Sequence, residues 1–116
     1  MKTKKRKLED KLDAEVRRVV RVLYPVCARC GKGPVQVCHI FSRNHKSVRW
    51  FLDNIIGLDW NCHFFWAHQE PTEFTEMIKK RLGIKRYNAL RKKAGETKCW
   101  TIVELEELLE ALKKIQ

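Results

Sequence analysis

Residues 27–68 read CARCGKGPVQVCHIFSRNHKSVRWFLDNIIGLDWNCHFFWAH and hold four of the chain's five cysteines and all four of its histidines. In order these are Cys27, Cys30, Cys38, His39, His45, Cys62, His63 and His68, with Asn54 and Asp59 interleaved. Metal ligands and proton-transfer groups packed this closely point to two sites on one small scaffold. One metal would hold the chain together and a second would do chemistry.

Cys27-Ala-Arg-Cys30 presents two thiolates at the spacing of a zinc knuckle, and Gly31 and Gly33 provide the open backbone such a turn needs. Cys62 is the third ligand. The fourth stays open between two residues. Asp59 would complete Asp-x-x-Cys with a hard oxygen, whereas Cys38 is softer but is followed directly by His39. Cys38 reads equally well as a small buried strand residue. Cys99, beside Trp100, reads as a packed free thiol.

Around the knuckle, Val35–Ile40 alternates as a short strand and Asn54–Leu58 forms a second, with the polar loop Ser42–Arg49 between them. From about Asn61 the pattern turns helical through His68, and Glu70-Pro71 closes that helix. Upstream, residues 1–7 form a basic, frayed arm, and Leu8, Leu12, Val16, Val19, Val20 and Leu23 define an amphipathic helix over residues 8–24, ended by Pro25. Downstream, Thr72 is placed as the cap of a helix lined by Phe74, Met77, Ile78 and Leu82 and stopped by Gly83. A further helix covers Lys85–Lys93. Thr101 and Glu104 form a capping box for a last helix lined by Leu105, Leu108, Leu109 and Leu112. Residues 25–70 are thus the core, 71–116 the C-terminal helices, and the class is α+β. Trp50, Trp60 and Trp66 are assigned to the interior, with base stacking by one of them as the lesser alternative.

A chain of 116 residues makes one domain with a thin core, which a structural metal would supplement. The opening MKTKKRKLEDKLDAEV has no apolar segment and no long apolar run follows, so no membrane partner and a cytoplasmic location are expected, where thiols stay reduced. The net charge is +11, made of +5 over residues 1–26, +3 over 27–68, +5 over 69–100 and −2 over 101–116. Positive charge on both sides of the Cys/His window is the footprint of a polyanion binder. The runs Lys79-Lys80-Arg81, Lys85-Arg86 and Arg91-Lys92-Lys93 extend it, although singly they read as solvated charges.

The order His39, Asn54, His63 resembles the HNH endonucleases, also called ββα-metal or His-Me finger nucleases. It is most similar to their zinc-containing phage branch, which includes the NinG-type recombination proteins. The matching text is Cys38-His39-Ile40-Phe41-Ser42-Arg43, Val48-Arg49-Trp50, Asp53-Asn54-Ile55, and Cys62-His63-Phe64-Phe65-Trp66-Ala67-His68 with Glu70–Phe74. It runs from Cys27 to about Ala94. The resemblance implies a ββα-metal core framed by helices, and a phage-encoded protein acting on duplex or branched DNA in a bacterial host during recombination, replication or packaging.

Residue by residue, the resemblance implies His39 as the general base that activates water, Asn54 as the residue that fixes its orientation, and His63 as a ligand of the catalytic Mg²⁺ or Mn²⁺. His68 lies five residues beyond His63, one more than the usual helical spacing, and stands behind it as a further ligand. Arg43 and Arg49 fall at motif positions suited to phosphate contact, and His45 shares their loop. Two departures mark this chain. Many members carry Asp where Cys38 stands, and zinc-containing members usually carry Cys where Asp59 stands. Asp59 then serves either the zinc or the catalytic metal, and Cys38 is the least secure ligand of the latter. The alternative reading is a zinc-stabilised DNA-binding module without catalysis. The leucine-lined last helix could pack on its own domain or pair with a second copy.

Overall fold

The computed structural model describes residues 1–116 as a small α+β unit in which four helices surround a two-stranded antiparallel sheet. Helix α1 covers Lys4–Leu23, strands β1 and β2 cover Gln36–His39 and Ile55–Leu58, and helices α2, α3 and α4 cover Pro71–Leu82, Ile84–Ala94 and Ile102–Lys113. A 3₁₀ turn at Leu52–Asn54 leads into β2, and a π-helical turn at Cys62–Ala67 follows it. No helix is long and apolar enough to cross a membrane.

Helix α1 buries Leu8, Leu12, Val16, Val19 and Val20 of the positions its apolar periodicity selects, while Leu23, at its last turn, is exposed. It begins earlier than the charge pattern implies, so residues 4–7 are helix rather than frayed arm. The cause is local: Thr3 Oγ1 accepts from the Arg6 backbone N–H, and Lys2 and Arg6 both pair with Asp10. Its main partner is α4, which turns Leu105, Leu109 and Leu112 inward. At the far end of α4 the Arg18 guanidinium donates to the carbonyls of Leu112 and Ile115, at 2.9 and 2.7 Å, where the helix dipole favours a cation. The leucine face of α4 is therefore used within the chain. The Thr101–Glu104 capping box at its start is present as the sequence predicts.

In the sheet, Val37 faces Gly57, Cys38 faces Ile56 and His39 faces Ile55. Successive strand residues point to opposite faces, so Cys38 and His39 diverge. Cys38 enters the hydrophobic core and His39 opens toward α1. Gly57 is required by packing: a Cβ there would stand 2.5 Å from Cβ of Tyr24, at the end of α1. Beneath the loop between the strands, Val48 packs with Leu90 and Ala94 of α3, and Ser47 Oγ donates to the Lys93 carbonyl at 2.7 Å.

Three further expectations are corrected. Thr72 is not a cap, because Pro71 occupies the first helical position of α2, where its fixed φ and missing N–H cost nothing. Trp50 and Trp66 are buried, but Trp60 is 52% exposed. Cys99 is exposed rather than packed. Replacing Gly57 with alanine should lower the free energy of unfolding by about 1–3 kcal/mol, the usual scale for overpacking, read as a shift of the urea midpoint. An unchanged midpoint would mean that Tyr24 yields without cost.

Candidate metal centre and histidine cleft

Cys27, Cys30, Asp59 and Cys62 converge, with one ligand atom from each lying within 4.8 Å of all the others. A tetrahedral zinc with bonds of about 2.3 Å to sulfur holds its ligands somewhat closer than that, so the four need only a small contraction to close on an ion. Three thiols and one carboxylate are a zinc-type donor set. Asp59 resolves the open fourth position. Its Oδ1 accepts the Cys62 backbone N–H at 2.8 Å, and its Oδ2 accepts from the Cys30 thiol at 3.2 Å. Cys38 takes no part: it is buried in the core, and burial pushes its thiol up to about 12.

The members of the cluster differ in their readiness to ionise: Cys27 and Asp59 are shifted toward the charged form, Cys30 and Cys62 away from it. Burial opposes ionisation of Cys27, yet the backbone N–H groups of Cys30, Asp59 and Arg29 hold its thiol below the ordinary value. Burial pushes Cys62 up to about 12, although the Arg29 guanidinium works the other way. The Asp59 carboxyl lies below its usual range because the Cys62 N–H is bonded to it. Several negative charges can share this space only around a positive ion, so metal binding must displace protons and weaken as pH falls. Arg29 closes the outer side. Its backbone N–H is 3.4 Å from the Cys27 sulfur, its guanidinium is 3.6 Å from the Cys62 sulfur, and it stacks over Trp66 at 4.1 Å.

A second locality uses the histidines. His39, His63 and His68 line one cleft of about 530 Å³ between α1 and the β1 edge, together with Asp13, Arg17, Arg21, Gln36 and Arg43. The π-helical geometry resolves the five-residue spacing of His63 and His68. Its hydrogen bonds run from i to i+5, which sets these two residues one above the other on the same side, and their rings meet edge-on with centroids 4.9 Å apart.

Of the three cleft histidines, His39 and His63 have a defined anchor. His39 Nε2 lies 3.1 Å from the Arg49 carbonyl, which can only accept, so Nε2 carries the proton and Nδ1 keeps its lone pair. His63 Nδ1 meets Gln36 Oε1 at 3.0 Å, which leaves His63 Nε2 free to ligate. Burial holds both imidazoles below their ordinary pKa, and at His63 the neighbouring His68 and His39 add to the effect.

Asn54, fully buried, is a clamp. Its Oδ1 accepts the Phe41 N–H at 2.8 Å, and its Nδ2 donates to the carbonyls of Phe41 and Val48 at 2.9 and 3.2 Å. The loop that supplies the Arg49 carbonyl is thus held from inside. Asp13 of α1 holds it from outside, accepting from Arg49 Nη2 at 2.6 Å and from Trp50 Nε1 at 2.8 Å.

That anchor corrects the role of Arg49. It is buried and its guanidinium fork is occupied by Asp13, so it has no free face for a phosphate. Arg43 also reaches Asp13, at 3.1 Å, but stays exposed at the cleft. His45 lies outside the cleft, exposed and edge-on to Phe41. Arg17 and Arg21 were missed. They sit one turn apart on α1, each directly after a buried valine, and have no carboxylate within ion-pair distance, whereas Arg18 is paired with Glu15. Their place on the polar flank of the apolar stripe was the available signal.

Comparison of the chain with protein-family models, with curated proteins and with solved structures finds no match.

Purified protein should carry one zinc per chain by elemental analysis, and Cys38→Ala should retain it. Cys30→Ser should lose it. A strong chelator should unfold the wild type cooperatively by circular dichroism, because structural zinc binding is worth about 10–16 kcal/mol, comparable to or larger than the margin of a small fold. Zinc-free protein that stays folded would contradict this assignment.

Proposed function

We propose that the chain is a metal-dependent endonuclease that hydrolyses phosphodiester bonds of DNA, with the histidine cleft as its active site and a ββα-metal arrangement of the HNH type as its core. The observation that carries this reading is the convergence of His39, His63 and His68 on one cleft with three arginines. His39 has the features of a general base. Its Nδ1 lone pair is free, and its lowered pKa keeps it neutral at cellular pH. Asn54 acts by position, holding the loop whose carbonyl sets the His39 tautomer.

His63 Nε2 and His68 would hold a divalent cation, which supplies charge stabilisation at the scissile phosphate and the departing 3′ oxygen. Two imidazoles suit Mn²⁺ better than Mg²⁺, which prefers oxygen donors, and the one cleft carboxylate, Asp13, is already spent on Arg49 and Trp50. Arg17, Arg21 and Arg43 offer guanidinium groups to the phosphates on either side.

The rival reading, a zinc-stabilised DNA-binding module without catalysis, draws on the same missing carboxylate. Cleavage of duplex, branched and single-stranded DNA with Mn²⁺ decides between them. His39→Ala should lower the rate by about 10²–10⁴-fold while zinc content and DNA affinity stay unchanged. Wild-type protein inert on every substrate would leave only the binding module. Arg17→Ala and Arg21→Ala should each weaken binding and reduce the slope of log affinity against log salt by about one.

The rate should also depend on pH with a defined sign. Protonation silences the base, so activity falls as pH drops through the His39 pKa, and that limb should lie below the ordinary imidazole value of 6.5. A limb above that value would assign the base to another group.

A further inference from the structure

The π-helical turn, together with Trp60 two residues before it, exposes three aromatic rings that neither the zinc centre nor the histidine cleft uses. Trp60, Phe64 and Phe65 are 52%, 43% and 55% exposed. Their rings form one patch, with Trp60 to Phe64 at 5.5 Å and Trp60 to Phe65 at 5.0 Å between centroids. They are not surplus core. The same turn already buries Cys62, Trp66 and Ala67. Rings so placed leave apolar area in water, which a chain of this size has no folding reason to do.

Two placements indicate what covers them. The first is continuity with the cleft: Phe64 lies 4.9 Å from the His63 ring, tilted by 36°, and 5.8 Å from the His68 ring, tilted by 32°. Aromatic faces thus run from the exposed patch to the imidazoles that line the cleft. The second is charge. The cleft at the inner end carries Arg17, Arg21 and Arg43, within a chain of net charge +11. Cationic groups that track a phosphate backbone, beside rings that accept base faces, are the two components of single-stranded nucleic-acid binding. The patch is also held in place from below, because Asp59 and Cys62, on either side of Trp60, are both members of the metal cluster.

We infer that Trp60, Phe64 and Phe65 form a stacking platform for unpaired bases next to the phosphate held in the histidine cleft, so that the preferred ligand is single-stranded DNA or the unpaired segment of a branched one. Bases inside a duplex are stacked on each other and offer no face to the platform. The inference rests on the proposed cleft for the position of the phosphate, but not on cleavage.

The test is equilibrium binding by fluorescence anisotropy, with zinc retained and no other divalent ion added. The probes are a labelled oligothymidylate, an abasic phosphodiester of equal length and a blunt duplex. Wild type should bind oligothymidylate several-fold tighter than the abasic strand. Trp60→Ala should weaken oligothymidylate binding by about 10-fold or more, the scale of one base stacked on a ring, and leave the abasic affinity unchanged. Trp60→Phe should recover most of the loss, and Phe65→Ala should behave as a second, independent lesion.

Equal affinity of wild type for oligothymidylate and the abasic strand would overturn the inference. So would a Trp60→Ala protein that binds oligothymidylate like wild type, including one in which a wild-type dimer has become a monomer by sedimentation, since the patch would then belong to a second copy. Tight, Trp60-dependent binding by a protein that cleaves nothing would sink the nuclease reading alone. Cleavage of thymidylate and abasic strands with equal efficiency would sink the platform alone.

Discussion

Three thiols and a carboxylate forced within 4.8 Å of each other are the constraint around which this chain is arranged. Cys27 and Cys30 come from the turn before β1, and Asp59 and Cys62 come from the turn after β2. A cation among them would tie the two open ends of a sheet that has only two strands, too few to be stable unaided. Asp59 does double duty, since the oxygen that caps Cys62 also sets where the π-helical turn begins. The side chains carried by that turn inherit their position from the cluster, including His63 and the exposed Phe64 and Phe65 rings.

A second tether is independent of metal and positions His39. Asp13 reaches from α1 to Arg49 and Trp50, while Asn54 binds the same loop from within. The Arg49 side chain is anchored so that its backbone carbonyl can orient an imidazole. The cluster and the cleft touch in sequence at Cys62-His63, but these two side chains point to different localities: the thiol to the cluster and the imidazole to the cleft.

Much of this was readable from residues whose spacing has one meaning. Cys27-x-x-Cys30, the apolar stripe of α1 and the Thr101–Glu104 box each appear where local pattern places them. Where pattern failed, a tertiary choice intervened. Asp59 and Cys38 were both chemically eligible for the metal, and tertiary placement decided: Asp59 lies among Cys27, Cys30 and Cys62, whereas Cys38 is buried in the core. Arg49 looked like a phosphate contact until Asp13, 36 positions earlier, proved to be its partner. The His63–His68 spacing fits a π-turn, a geometry too rare to assume from sequence. Trp60 was assigned to the interior by its size, which says nothing about direction.

The division of labour between thiols and imidazoles is the central claim, and X-ray absorption at the zinc edge of the purified protein tests it directly. The account predicts three sulfur neighbours at about 2.3 Å and one oxygen at about 2.0–2.2 Å, with no outer-ring scattering from imidazole. A shell containing imidazole nitrogen would contradict it, because the zinc would then occupy the histidines on which the proposed chemistry depends.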